Sequence, residues 1–519
     1  MARILLHLLM LISTTIPSFC FEKDNKELLL VTIATEENDG LRRYIRSTKK
    51  YDLETKVFGL GLDWRGGDMT NTGGGHKINI LKEELSQYKD RSDLILMFTD
   101  SYDVVGHSWS IRDSRKVQQE EDYPSIVLGV FVEHPTPFLR EALQKIAALD
   151  YPKQKIDFFI HSSLRNHQNE IDLFLNKVGI LYKSVNTIGS YDSIGEAAAR
   201  NWAIEECIKK DCQYFFNVDG DVHLENDQTL KLLIHQNRSV LAPIVTRRGK
   251  AWSNFWGALS ATGFYARSED YMDIVHGDKI GLWNVPYLTG VYLVQAHVLP
   301  ALRNGYDSDS LDADMALCKT LREKGYFMFV TNRKEFGYLI NSDGAQTGRL
   351  HIELWEIFNN PYDWEKRYIH PNYSHSLAEN AVIEQPCPDV FWFPVMTEVF
   401  CDEIVAELEN VNMWSGGKSE DTRLAGGYEN VPTDDVHMTQ INLQNQWLEF
   451  LRVYVAPLAT KVYPGYYSNL PRALLNFVVK YNLERQKELR PHHDSSTFTI
   501  NIALNTPKLD YEVIIVTTR

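Results

Sequence analysis

After its first dozen residues this sequence has no long apolar run, so no segment suits a membrane-spanning helix. It has no excess of positive charge either: the net charge is −15, which argues against a nucleic-acid partner. Cysteine is scarce, at six in 519 residues, and no spacing resembles a zinc site. The composition also lacks the polar bias of a disordered chain, since 44% of residues are hydrophobic and 24% charged. A length of 519 residues exceeds one core, and about three domains are expected.

What is present begins with a leader. Arg3 precedes an apolar run from Ile4 to Ile12, then small and polar residues reach Cys20. This order fits a secretory signal peptide over residues 1–22, cut near Ser18–Phe21. Two acceptor triplets, Asn237-Arg238-Ser239 and Asn372-Tyr373-Ser374, suit the same route. Beyond the leader five cysteines remain, an odd number, so at least one stays unpaired or bonds another chain. Cys207–Cys212 and Cys387–Cys401 are the nearest-neighbour pairs and the disulfide candidates.

Three parts follow. Residues 23–124 read as alternating strand and helix: Glu27–Thr35, Leu41–Lys50, Thr55–Leu60, Lys77–Tyr88 and Asp93–Thr99. That order predicts a parallel α/β sheet, in which ligands sit at strand carboxyl ends. Ile33, Ala34 and Thr35 fall at one such end, and Asp100 and Asp103 at another. Two carboxylates there can hold Mn²⁺ or Mg²⁺ against a nucleotide-sugar diphosphate, with Lys77 in reach of phosphate. The plainer alternative makes Asp100 a turn cap and leaves Asp103 solvated.

Residues 125–385 repeat the pattern, from the strand Ile126–Glu133 to a strand Tyr214–Val218 that ends in Asp219-Gly220-Asp221. No further ligand cluster follows that pair, and an inert scaffold is as reasonable as a second active site. Residues 386–519 change order, with helices at Glu398–Glu409 and Gln444–Val455 followed by strands at Leu474–Tyr481 and Arg490–Leu504. Within the last, His492 and Asp494 stand two apart and share a face if the segment is a strand, while His493 faces away. An imidazole and a carboxylate so placed are two corners of the triad that holds non-haem iron. The third should be a later histidine, but residues 495–519 contain neither histidine nor glycine.

The stretches EQPCPDVFWFP, RLAGGYENVPTDDVHM, LLNFVVKY and RPHHDSSTFTINIALN closely resemble the catalytic domain of the procollagen-lysine 2-oxoglutarate 5-dioxygenases, the collagen lysyl hydroxylases. GVFVEHPTPFL and WSNFWGALS extend the resemblance to the middle part, and WRGGDM, GGGHK and MFTDSYDV to the first. It implies two glycosyltransferase-A-like α/β domains, the first incomplete, then a truncated double-stranded β-helix dioxygenase domain, an α/β plus α+β chain. It implies Fe(II), 2-oxoglutarate and ascorbate as cofactors. His492 and Asp494 match the iron ligands, and Arg423, Tyr481 and Asn501 match 2-oxoglutarate positions. Ile33, Ala34, Thr35 and Lys77 match a UDP-sugar site, and Asp100 and Asp103 its Mn²⁺ ligands, both vestigial here. Procollagen chains are the implied partners, within a homodimer, in the endoplasmic reticulum lumen, at its membrane, or after secretion.

The sequence departs from that family twice. After Val105 it passes straight into the middle part, and past Asn505 the family pattern fades, without the distal iron histidine and the 2-oxoglutarate arginine. Impaired hydroxylation is therefore expected. A hydroxylysine glycosyltransferase and an inactive pairing partner are the alternatives.

Overall fold

The computed structural model describes residues 27–37, 39–50, 53–63, 75–91, 93–99, 123–260, 264–417, 433–465, 473, 475–489, 492, 494 and 496–505. The leader, Asp100, Asp103, Arg423 and His493 lie outside the described residues. The chain divides into two compact units, Met1–Gln118 and Gln119–Arg519.

In the first unit β1 (Glu27–Ile33), β2 (Thr55–Phe58) and β3 (Leu94–Phe98) form a parallel sheet in the order β2-β1-β3. Parallel neighbours need crossovers, and the helices Asp39–Lys50 and Gly75–Glu84 supply them. β1 is the central strand. Its Leu29, Val31 and Ile33 pack with Phe58 and Ile80 into one small core. Ala34 meets Leu41 and Tyr44 in another. The β-α-β-α-β order read from the sequence is the order observed.

The second unit is built on an eight-stranded sheet. β4 (Ile126–Val132), β5 (Ile156–Ser162), β6 (Ser184–Ile188) and β7 (Tyr214–Asp219) are parallel, with β4 between β5 and β7. Strand Val291–Gln295 runs antiparallel between β7 and Val240–Pro243, and strands Met328–Thr331 and Leu282–Val285 complete the edge. Every residue of β4 and β5 is buried, as expected of strands covered on both faces. Alternate residues divide between the two cores. Val127 and Phe131 enter one, Ile126, Leu128, Val130 and Val132 the other. Gly129 leaves room on the first face: a Cβ there would sit 2.8 Å from the Phe131 ring and 3.2 Å from that of Phe215. Cys207 and Cys212 are bonded, with Cα atoms 5.0 Å apart, and tie the end of helix Glu196–Lys209 to β7.

The change of architecture near Gln385 lies inside this unit. Helix Glu398–Val411 starts at Thr397, whose side chain accepts the Phe400 N–H, and ends at Asn412 in the left-handed conformation. Its buried Phe400, Ile404 and Leu408 join Phe138, Tyr338, Trp364 and Tyr368 from the preceding part in one core. Arg367, buried there, bonds Glu141 at 2.6 Å and Glu403 on the helix, and the Tyr368 hydroxyl donates to Glu403 at 2.7 Å. Glu353 accepts the Phe138 N–H at 3.0 Å. Burial raises its carboxyl above the ordinary range, against the pull of Arg367.

Several expectations are corrected. Cys387 and Cys401 are both free thiols. Instead, Glu384–Cys387 folds back on Val390–Trp392 about Asp389, at φ 62°. Leu282–Val285, Tyr287–Leu288 and Val291–Gln295 are separate strands, parted at Pro286, which lacks an N–H to donate, and at Gly290, at φ 73°. No described residue between 490 and 505 is in a strand. The alternation survives, since Ile502 and Leu504 pack on the core beneath them, but no neighbour among the described residues supplies a ladder. The described part of 386–519 holds the hairpin pairing above, the pair Asp435–His437 with Phe477–Val479, and a single bridge from Met396 to Ile369. A double-stranded β-helix is not assembled among the described residues.

Candidate active site

Three places hold the residues that sequence reasoning singled out. At the carboxyl edge of the first sheet, Ile33 and Ala34 are buried and Thr35 is half-buried. The Ala34 N–H donates to Phe58 O at 3.0 Å, and Gly61 N–H to Thr35 O at 2.9 Å. Thr99, next after β3, donates its N–H to Val31 O at 3.0 Å, and its hydroxyl bonds the Tyr44 hydroxyl. The parallel sheet thus brings Thr35 and Thr99 to one edge. Lys77 is half-buried on helix Gly75–Glu84. The adjoining Asp100 and Asp103 lie outside the described residues, so no carboxylate geometry is available at this edge.

At the carboxyl end of β7, Asp219 is already engaged. Arg200 Nη2 lies 2.9 Å from its Oδ1, and Asn217 Nδ2 donates to the same oxygen at 3.1 Å. Arg200 is itself fully buried, bonded to Glu196 and Asn217 and lying 4.5 Å from the centre of the Phe131 ring. Burial pushes the Asp221 carboxyl up to about 6. The guanidinium and the Asn217 amide thus share one Asp219 oxygen.

The third place is the segment after Leu489. His492 Nε2 lies 3.3 Å from Asp494 Oδ1, and both side chains are partly exposed. Thr499 Oγ1 donates to Asp494 Oδ2 at 2.6 Å, and Ser496 bonds Thr499 at 2.8 Å. The imidazole and carboxylate therefore meet without a strand to hold them, so the contact does not rest on the strand geometry that their spacing presumed. Tyr481 is exposed beyond strand Phe477–Val479, and Asn501 is exposed on the final described segment. Burial of part of its ring raises the Tyr481 phenol. Arg423 lies outside the described residues.

Sequence reasoning missed a buried polar network. Lys145 Nζ lies 2.8 Å from His223 Nδ1, 3.0 Å from the Tyr338 hydroxyl and 2.8 Å from Glu225. Tyr338 donates to Asp363 at 2.6 Å. Desolvation lowers both the Lys145 amine and the His223 imidazole. No short-range spacing marks this network, because its members come from distant parts of the chain.

Comparison with known proteins decides the family. The murine procollagen-lysine,2-oxoglutarate 5-dioxygenase 2 is 38% identical over 651 residues, covering 94% of this chain and 88% of its own length. The chain belongs to the procollagen-lysine 2-oxoglutarate 5-dioxygenase family. The bovine 5-dioxygenase 1 is 36% identical over 656 residues, covering 94% of this chain and 90% of itself. Both alignments are longer than this chain, so these lysyl hydroxylases carry internal segments that it lacks. Residues 24–129 match the PLOD GT domain, and residues 123–350 the N-terminal domain of glycosyltransferase family 25. These matches establish glycosyltransferase-A-like domains ahead of the third part. A mannosyltransferase from Pyrobaculum calidifontis, solved with GDP-Man and Mn2+, is 14% identical at a TM-score of 0.32, over 46% of this chain and 61% of its own, too weak a likeness to argue from.

Members of a 2-oxoglutarate dioxygenase family call for ferrous iron. The donors here fit in type: an imidazole nitrogen and a carboxylate oxygen, the latter braced by a hydroxyl. They fall short in number. Among the described residues no three His, Cys, Asp or Glu side chains are grouped to hold a metal ion.

Proposed function

We propose that this chain is a lysyl hydroxylase by descent whose dioxygenase centre, at His492 and Asp494, is incomplete in the 519-residue polypeptide. The reaction it would carry is hydroxylation of lysyl residues in procollagen chains. Fe(II), with 2-oxoglutarate and ascorbate as the other cofactors, would supply the oxidising chemistry, and His492 and Asp494 are the residues that would hold it. The observation that carries the reading is the 3.3 Å meeting of His492 and Asp494 inside a chain 38% identical to a lysyl hydroxylase.

The residues themselves do limited work. Asp494 takes the Thr499 hydroxyl on one oxygen, which turns the other toward His492. Residues 386–519 descend from a double-stranded β-helix, with Arg423, Tyr481 and Asn501 as its 2-oxoglutarate positions. With two protein ligands instead of three, affinity for iron falls by more than the roughly 10–100-fold that loss of a supporting partner costs. The Cys207–Cys212 bond and the leader-like start support an oxidising, lumenal compartment, the endoplasmic reticulum. Among the described residues no helix is long and apolar enough to cross a membrane.

The test is 2-oxoglutarate decarboxylation with Fe(II), ascorbate and a lysine-containing collagen peptide. A trace rate that vanishes in His492→Ala supports the reading. Robust peptide-dependent turnover overturns the incomplete centre, and a rate indifferent to His492 and Asp494 overturns its location.

A second reading is a hydroxylysine glycosyltransferase, favoured by the match of residues 24–129 to a glycosyltransferase domain. Ile33, Ala34, Thr35 and Lys77 would face the UDP-sugar, and Asp100 and Asp103 the Mn²⁺. Mn²⁺-dependent hydrolysis of a UDP-sugar, lost in Asp103→Ala, would establish it. An inactive partner that pairs with full-length members of the family would show neither activity.

A further inference from the structure

We propose that Asn237 carries an N-linked oligosaccharide on its side-chain nitrogen, an inference that rests on the lumenal compartment proposed above. Asn237-Arg238-Ser239 lies between helix Thr229–His235 and the strand that starts at Val240. Acceptor triplets are used where they stand on surface loops of secreted chains. Asn237 is exposed, while Arg238 beside it is buried and lies 5.6 Å from the centre of the Phe329 ring. The middle residue of the triplet thus anchors the turn and its neighbour projects outward. Asn237 sits at φ 47°, a left-handed conformation that asparagine tolerates better than most residues. Gln295 Nε2 donates to Asn237 Oδ1 at 2.7 Å. That bond falls on the oxygen, so it survives when the nitrogen carries a sugar. The Ser239 hydroxyl, which the transferring enzyme must read, bonds only at the surface, with His297 Nε2 at 3.2 Å.

The sheet also says where the sugar points. Strand Val291–Gln295 is antiparallel to both β7 and Val240–Pro243, so those two strands run the same way. Asn237 precedes the amino end of Val240–Pro243, and Asp219 ends β7. The two therefore lie at opposite ends of the sheet, and an oligosaccharide at Asn237 leaves the strand carboxyl ends clear. In the transfer, the Asn237 Nδ2–C1 bond forms and the C1–oxygen bond to a polyisoprenyl pyrophosphate donor breaks. The amide proton leaves with the pyrophosphate.

The full chain, made in secreting eukaryotic cells, is treated with peptide N-glycosidase in heavy-oxygen water and read by peptide mass spectrometry. The expected result is a heavy-labelled Asp at position 237, absent in Ser239→Ala. In an Asn372→Gln background, which removes the other triplet, one glycan's mobility shift should remain and should vanish on adding Ser239→Ala. A bare Asn237 overturns the inference. Protease protection of the same chain in microsomes then separates the causes. A protected chain with bare Asn237 refutes the glycan alone, and an unprotected chain refutes the compartment with it.

Discussion

Arg367→Met removes the cation at the seam between the glycosyltransferase-like part and helix Glu398–Val411. The variant keeps a stem of similar length beside the Tyr368 ring but strips Glu141 and Glu403 of their counter-charge. Both Arg367 and Glu403 are buried, and Arg367 meets Glu141 through Oε1 while Glu141 Oε2 is buried without a hydrogen bond. Removing one member of a buried pair strands the other, at a cost of about 3–5 kcal/mol. His351, 3.7 Å from Glu403, and the Tyr368 hydroxyl compensate in part, so the lower half of that range is expected. The assay is urea unfolding followed by tryptophan fluorescence and by circular dichroism, with Glu403→Gln and the double variant closing a cycle. Because the core is shared across Gln385, both probes should move together. A loss below about 1 kcal/mol, the scale of an exposed pair, would refute the buried seam. So would two separate transitions within Gln119–Arg519 with only one displaced.

Glu356 is buried, accepts from Asn360 Nδ2 at 2.8 Å, and is pushed by burial from 4.5 up to about 7. Its folded form holds a proton that the unfolded form gives up, so stability falls as pH rises between those values. Glu356→Gln should therefore gain up to about 3 kcal/mol above neutrality and little near pH 4, read from urea midpoints at both pH values. Gly129→Ala should lose about 1–3 kcal/mol in the same assay, because its methyl overlaps the Phe131 ring. Thr499→Val removes the hydroxyl that braces Asp494 and should weaken Fe(II) binding about tenfold, measured by competition with a chelator, while leaving the unfolding midpoint unmoved.

The chain order of the first two parts was legible because it rests on local pattern. The apolar run at Leu28–Val31 and the buried runs of β4 and β5 signal strands by themselves, and the intervening helices fix parallel pairing. The two-residue spacing of His492 and Asp494 put them on one face only through a strand, and no described residue there is in one. The ladder expected around them is not formed among the described residues, because a strand depends on a neighbour that no local pattern encodes. The same limit hid the Lys145–His223–Tyr338–Asp363 network and the Arg367 seam, whose members stand far apart in sequence. The Cys387–Cys401 pairing failed for a related reason: nearness in sequence says nothing of whether Glu384–Cys387 turns toward helix Glu398–Val411 or into its own hairpin.

Equilibrium binding of Fe(II) to the 519-residue polypeptide, under anaerobic conditions and beside His492→Ala and Asp494→Ala, tests the incomplete centre most directly. One weak site, lost in either variant, is the expected result. A tight site that survives His492→Ala would contradict it, because iron would then be held by residues other than the pair that meets at 3.3 Å.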